Sequence, residues 1–247
     1  MTETGRAERR AELSEALEAV RGRIAKACAS AGRRPDEVQL VAVTKTRPAT
    51  DVALLLELGH DVFGENRPQE AAAKVAELSE LCPDNRARWY MVGRLQRNKA
   101  RSVARWAARV ESVDSARLVD ALDGAALRAM ERGERAGPLP VLLQVSLDAN
   151  PARGGAPVGE LPALADRVAA TEGLELHGLM AVAPLGVDPD RAFAALAEEL
   201  YRMGIYHPRA RVMSAGMTAD FEAAIRHGST CVRVGTALLG DRPLTSP

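Results

Sequence analysis

Apolar runs alternate with amphipathic stretches along almost the whole chain. The first stretch, about 7–31, has apolar residues at three- and four-residue steps, which indicates a helix that Gly32 ends. Short apolar runs rich in Val and Leu follow, and the predicted strands are 38–43, 61–63, 89–92, 110–113, 141–147, 174–179, 210–213 and 230–234. Helical periodicity lies between them, at 50–58, 68–81, 98–108, 115–132, 160–171, 189–203 and 218–227.

Strands that alternate with helices in this way form parallel βαβ units. Eight strands favour closure into a barrel, and 247 residues is the usual size of a minimal barrel of this kind. The pattern therefore predicts a single (β/α)8 TIM-type barrel with an extra N-terminal helix. No linker or low-complexity tract interrupts the chain, so residues 1–247 are expected to form one domain. An open doubly wound sheet is the alternative.

Composition narrows the functional classes. Hydrophobic residues make up 47% of the chain and aromatic residues only 3%, so the core is expected to be aliphatic. Lys plus Arg equals Asp plus Glu at 33 each, which argues against nucleic acid or an anionic membrane as the main partner. The three cysteines and four histidines show no metal-ligand spacing, so no metal is predicted. The sequence has no apolar signal core or long apolar span, so a cytoplasmic location is expected.

Lys45 is the first candidate for chemistry. In a barrel of this kind, active groups lie on the loops after the strands, and Lys45 directly follows the first strand. A partly buried lysine amine at the barrel mouth can attack a carbonyl as a nucleophile. On position alone, a lysine that extends from a strand end into solvent is the more common explanation.

Two further loops carry polar residues after strands. Asn66 comes just before a helix that starts at Pro68, so it is either a ligand or part of an ordinary helix entry. The basic stretch 94–109 runs into a helix that bears Arg101 and Arg105. Such a charge run is typical of a solvated helix face, and a secondary anion-binding surface is the alternative.

Two glycine turns follow the last two strands. The segments 214–217 and 233–236 each join a strand end to a turn, through Gly216 and Gly235 respectively. Small residues there expose backbone N–H groups, and the last loops of such barrels often bind phosphate, although ordinary turn chemistry explains the same residues. Together with Lys45, these turns predict a Schiff-base lysine beside a phosphate pocket. A pyridoxal-phosphate protein and a Schiff-base aldolase for a sugar phosphate both fit this prediction.

At these same stretches the chain resembles the YggS/PROSC family of pyridoxal-phosphate homeostasis proteins. The matching segments are Ala42-Val43-Thr44-Lys45-Thr46, Phe63-Gly64-Glu65-Asn66 with Gln69-Glu70, Gly93 with Leu95-Gln96 and Asn98-Lys99, Gly178-Leu179-Met180, Ser214 with Gly216-Met217, Asp220, and Gly228-Ser229-Thr230 followed by Val232-Arg233-Val234-Gly235-Thr236. They occur in the family's order and span nearly the whole chain. In one departure, Tyr90 stands where the family often has a histidine.

The resemblance implies a barrel like the N-terminal domain of alanine racemase, with pyridoxal 5′-phosphate (PLP) as its cofactor. The implied cofactor contacts are Lys45, Asn66, Ser214, Arg233, Gly235 and Thr236. Among these, Lys45 would carry PLP as a Schiff base and Arg233 would face the pyridine nitrogen. Ser214 and backbone groups of Gly235 and Thr236 would hold the phosphate, and Asn66 would lie near the ring.

The resemblance also implies a protein that carries or buffers PLP in vitamin B6 and amino-acid homeostasis. An arginine beside the pyridine nitrogen disfavours its protonation and makes the ring a weaker electron sink. Racemisation needs a base on each face of the substrate α-carbon, and Lys45 can serve only one face. We therefore expect little or no catalysis, with an amino-acid racemase or lyase as the alternative. We expect a monomer whose candidate partners are PLP and apoenzymes that depend on it.

Overall fold

The structure is a computed structural model that describes residues 2–148, 154–184 and 186–240. Its helices are α1 (Glu3–Ser30), α2 (Ala49–Glu57), α3 (Pro68–Leu81), α4 (Ala100–Trp106), α5 (Ala116–Glu131), α6 (Leu161–Ala169), α7 (Pro189–Tyr206), α8 (Phe221–Arg226) and α9 (Thr236–Leu239). Its strands are β1 (Gln39–Val43), β2 (Val62–Glu65), β3 (Arg88–Met91), β4 (Ala107–Val113), β5 (Leu139–Ser146), β6 (Ala156–Pro157), β7 (Leu174–Met180), β8 (Val212–Ser214) and β9 (Cys231–Val234).

Eight of the described strands close into a barrel. They are hydrogen-bonded in the order β4-β3-β2-β1-β9-β8-β7-β5, and β4 also pairs with β5. Every pair in this ring is parallel. The two-residue β6 pairs with the end of β5 and lies outside the ring. The predicted (β/α)8 barrel with a leading helix is confirmed, and the pairing of β4 with β5 excludes the open sheet.

The element bounds follow the hydrophobic pattern closely, with three informative differences. α1 begins before the predicted start, because the Thr2 hydroxyl accepts a hydrogen bond from the Gly5 N–H at 3.2 Å and caps the helix. β4 begins at Ala107, earlier than predicted, and so includes Arg109 in the barrel wall. α9 is not predicted, because its four residues are too few to show helical periodicity.

The apolar core lies mainly between the strands and the surrounding helices, where small and aliphatic side chains fill the space. The leading helix α1 covers one side of the barrel with the buried residues Leu13, Leu17, Val20 and Ile24. The apolar cluster inside the barrel is much smaller and consists of Val41, Val62, Tyr90 and Cys231. Buried polar side chains occupy another part of the barrel interior, and such groups are able to take part in binding or catalysis. Among the described helices, none combines the length and the hydropathy of a membrane-spanning segment.

Candidate functional site at the barrel mouth

Lys45 lies just past the end of β1, at the carboxyl end of the barrel. Its side chain is partly buried and lines a cavity of about 150 Å³. Gly235, Thr236 and Leu239, at the start and end of α9, form the facing wall of this cavity. The fold therefore brings the candidate lysine and the second glycine turn together, although they lie far apart in the sequence.

Thr46 holds the backbone beside Lys45 in a strained conformation. Its φ of 64° is the one positive φ of a non-glycine residue in the described part of the chain. A β-branched residue in this region is strained by about 1–3 kcal/mol, and such strain is concentrated at functional sites. The Thr46 hydroxyl donates to the Lys45 carbonyl at 2.6 Å, and the Arg47 N–H donates to the Thr44 carbonyl at 3.0 Å. This tight turn fixes the position of Lys45 just past the end of the strand.

A buried ion pair supports the end of β1 from the helix side. The Lys74 ammonium group of α3 donates to the Thr44 carbonyl at 2.7 Å and to Glu65 Oε1 at 2.5 Å. The Thr44 hydroxyl donates to the same Glu65 oxygen at 2.6 Å. All three residues are buried, and a buried charge is stable only with its partner. These contacts tie α3, β1 and β2 together directly behind Lys45.

The start of α9 offers backbone donors beside the same cavity. Within the ranges that the structure describes, the N–H groups of Gly235, Thr236 and Ala237 make no hydrogen bond. Leu238 is the first residue of this turn with a paired N–H, which donates to the Gly235 carbonyl at 3.0 Å. Unpaired N–H groups at a helix start suit a phosphate. The Lys45 amine and N–H groups able to donate hydrogen bonds to a phosphate therefore lie around one cavity.

Strand register places Asn66 level with Lys45. Val43 of β1 pairs with Gly64 of β2, so the residues two positions further on follow neighbouring strands at the same height. Asn66 lines a second cavity, of about 440 Å³, rather than the cavity of Lys45. A contact between Asn66 and a cofactor ring stays a prediction.

Ser214 and Arg233 meet inside the barrel. Arg233 donates to the Ser214 hydroxyl at 2.7 Å and to the Ala181 carbonyl at 2.8 Å. The Ser214 hydroxyl in turn donates to Glu111 Oε2 at 2.6 Å. Both residues are buried, so they belong to a polar layer of the barrel interior and not to the wall of the Lys45 cavity. Their predicted roles, Ser214 at a phosphate and Arg233 at a ring nitrogen, stay predictions.

Glu111 joins this polar layer to a second arginine. Arg109 donates to Glu111 Oε1 from Nε at 2.9 Å and from Nη2 at 2.5 Å, and its guanidinium lies 4.0 Å from the centre of the Tyr90 ring. Burial is the largest single influence and lowers the pKa of Arg109, but the charge of Glu111, its hydrogen bonds and smaller contributions from neighbouring groups together exceed it, so the pKa is raised overall. Burial also raises the pKa of the neighbouring Cys231 thiol to about 11, so this thiol is uncharged at neutral pH.

The basic stretch 94–109 therefore has two environments. Arg101 and Arg105 are exposed, as expected for a solvated helix face. Arg109 does not belong to that face, because β4 begins early and carries it into the barrel, where it is 7% exposed. Neither Arg109 nor Glu111 is among the residues predicted for the site. The signal that points to them is Glu111 itself, since a charge within an apolar strand needs a buried partner.

By its fold and site, this protein is a closed parallel barrel that carries a partly buried lysine just after its first strand. The family model described as alanine racemase, N-terminal domain, matches residues 16–243. A Mycobacterium tuberculosis protein named pyridoxal phosphate homeostasis protein is 50% identical over 250 residues, covering 97% of this chain and 96% of its own. The Escherichia coli protein of the same name is 34% identical over 234 residues, covering 94% and 97%.

A solved structure extends the comparison to the fold. PipY of Synechococcus elongatus, solved with PLP bound, is 33% identical and superimposes with a TM-score of 0.76, covering 92% of this chain and 100% of PipY. The chain therefore belongs to the alanine racemase N-terminal domain family, and within it to the pyridoxal phosphate homeostasis proteins. The resemblance seen in the sequence motifs is confirmed.

Proposed function

We propose that this protein holds pyridoxal 5′-phosphate covalently through the Lys45 amine. The observation that carries the proposal is the cavity that Lys45 shares with Gly235 and Thr236, whose N–H groups are unpaired within the described chain. PLP supplies an aldehyde that a lysine amine can capture and a phosphate that backbone donors can bind. The PLP-bound structure of the similar PipY supports this proposal. A sugar-phosphate aldolase would use the same lysine, but the names of the relatives favour PLP.

Arg233 is the residue that we propose faces the pyridine nitrogen. Its side chain is held by Ser214 and by the Ala181 carbonyl, so its position is fixed before any ligand binds. A guanidinium remains charged at every ordinary pH, and a cation at that place disfavours protonation of the ring. We further propose that Ser214 contributes to phosphate binding and that Asn66 lies near the ring. The register that sets Asn66 level with Lys45 supports the latter role.

We propose that the protein stores or delivers PLP, with little or no turnover of its own. A second base is needed for racemisation, and the described walls of the Lys45 cavity contain no further lysine, histidine, cysteine or tyrosine. A fixed arginine at the ring nitrogen also weakens the electron sink on which carbanion chemistry depends. The names of the curated relatives describe homeostasis rather than a reaction. An amino-acid racemase or lyase is the competing proposal.

We also propose that the protein acts in the cytoplasm as a monomer and passes PLP to apoenzymes that depend on it. Its three cysteines are all free thiols, which suits a reducing compartment. Delivery to apoenzymes follows from a covalent but reversible attachment, because an imine to lysine can be exchanged for another amine.

The proposal is tested by loading and by turnover. Protein incubated with PLP and desalted is expected to keep a visible absorbance band, and borohydride should fix one cofactor to the Lys45 peptide. The same protein, given single L-amino acids and followed by chiral chromatography, is expected to form no D-amino acid at an enzymatic rate. A colourless protein without an adduct would overturn cofactor binding, whereas sustained racemisation would overturn the carrier role alone.

The Arg233→Ala variant tests the contact with the ring. We expect its visible spectrum with PLP to differ from that of the wild-type protein, because the cation beside the ring nitrogen is lost. The barrel should remain folded, since Glu111 keeps its two hydrogen bonds from Arg109. Arg101→Ala, which removes an exposed arginine, is the matched control. An Arg233→Ala spectrum identical to that of the control would contradict the proposed contact.

A further inference from the structure

A second cavity, the basic cleft, lies beside the barrel mouth. It has a volume of about 440 Å³, follows strands β2 and β3, and is lined by Asn66, Arg67, Gln69, Arg94, Gln96 and Lys99. Arg67 is paired with Glu70 at 2.7 Å. The side chains of Arg94 and Lys99 make no hydrogen bond or ion pair with any residue in 2–148, 154–184 or 186–240. No acidic side chain from these ranges lines the cleft, so its two unpaired cations give it a net positive charge.

The backbone holds this cleft in a fixed relation to the site of Lys45. The N–H groups of Val92 and Gly93 both donate to the Glu65 carbonyl, at 3.0 and 3.3 Å. A Cβ atom on Gly93 would lie 2.2 Å from the carbonyl oxygen of Asn66, so only glycine permits this close approach of the two loops. Arg94 is therefore held next to Asn66, which itself follows the strand beside that of Lys45.

We propose that the basic cleft is a second, non-covalent binding site for a phosphate monoester. The forked guanidinium of Arg94 and the ammonium of Lys99 are the donors best suited to a dianionic phosphate. The amides of Gln69 and Gln96 add neutral donors, and the volume lies in the range of small-molecule sites.

This inference rests on the proposed function for the identity of its ligand. Because Asn66 links the cleft to the mouth of the barrel, a PLP molecule bound there through its phosphate would lie beside the covalent site. The cleft then holds a cofactor molecule before capture by Lys45 or after release from it.

Pyridoxine 5′-phosphate is the probe that separates the two sites, because it has the ring and the phosphate but no aldehyde for a lysine to capture. Protein comprising residues 1–247 is first loaded with PLP and reduced with borohydride, so that Lys45 is permanently occupied. Calorimetric titration with the probe is expected to find one further site per chain. The Arg94→Gln/Lys99→Gln double variant should bind at that site about tenfold more weakly or worse.

Arg101→Gln is the matched control, since it removes one exposed cation from the same basic stretch but outside the cleft. Inorganic phosphate should compete with the probe, and succinate at the same ionic strength should not. The inference is overturned by the absence of a further site, by an unchanged affinity in the double variant, by an equal loss in the control, or by equal competition from succinate.

Failure of the proposed function has a different signature. If no borohydride adduct forms on Lys45, the same titration is run on the Lys45→Ala protein with and without the Arg94→Gln/Lys99→Gln double substitution. Weaker binding in the double variant then still assigns a phosphate site to the cleft, whereas unchanged binding overturns the site.

Discussion

Replacing Lys45 with alanine is expected to abolish covalent attachment of PLP. Borohydride should then fix no cofactor to the protein, and retention of PLP should fall on the order of 100-fold, about 3 kcal/mol, because only the phosphate and ring contacts remain. Stability should change by less than about 0.5 kcal/mol, because the Lys45 side chain makes no hydrogen bond or ion pair within the described residues. Mass spectrometry of the reduced protein and a thermal melt measure the two effects.

The lysine content of the chain makes this test unusually clear. There are only four lysines, namely Lys26, Lys45, Lys74 and Lys99. The Lys74 amine is buried against Glu65 and the Thr44 carbonyl, so it is not available to an aldehyde. Lys26 is exposed on α1, and Lys26→Ala is therefore the control that should load like the wild-type protein. An adduct that persists in Lys45→Ala and maps to Lys26 or Lys74 would refute the assignment, and so would an adduct on Lys99, in the basic cleft, with the yield that Lys45 gives in the wild-type protein.

The barrel could be predicted from the sequence because its signals are local and repeated. The helix 68–81 is predicted at its observed bounds, since Pro68 fixes its start and the apolar spacing continues to Leu81. Closure of the ring follows from counting strands and is seen directly in the pairing of β4 with β5. The short α9 could not be predicted in this way, because its four residues span barely one helical turn and the apolar spacing cannot repeat.

The candidate site could be predicted only in part. Residues at strand ends, such as Lys45 and Gly235, can be found because the barrel topology gathers all such positions at one mouth. Interior positions such as Arg109 depend on the exact start of β4, and a difference of a few residues decides between a solvated helix and the barrel interior. The contact between Lys74 and Glu65 joins a helix to a strand, and no local pattern specifies it.

The polar layer inside the barrel supports the second large prediction, which concerns Glu111. This carboxylate is fully buried and lies within 4.0 Å of Arg233 as well as within hydrogen-bond distance of Arg109. Two arginines and one glutamate leave a single net positive charge in the layer. Glu111→Gln keeps the shape of the side chain but doubles that net charge, because the Cys231 thiol is uncharged and cannot replace the carboxylate.

We expect Glu111→Gln to lower the free energy of unfolding by about 3–5 kcal/mol, the usual cost of removing one partner of a buried ion pair. In a chain of this size the melting temperature should fall by roughly 10 °C. PLP binding should weaken in the protein that remains folded, because Ser214 loses its charged acceptor and no longer holds Arg233 in one orientation. Thermal melts and a PLP titration well below the melting temperature separate these two effects.

Two further variants test the electrostatic explanation. Glu77→Gln removes an exposed carboxylate from α3 and should change stability by less than about 0.5 kcal/mol. The double variant Arg109→Gln/Glu111→Gln restores the single net positive charge, so it should recover part of the stability lost in Glu111→Gln. If the double variant is less stable than Glu111→Gln alone, packing rather than charge determines the effect. In that case the fit of the side chains in the polar layer, and not its charge balance, would hold Arg233 in place.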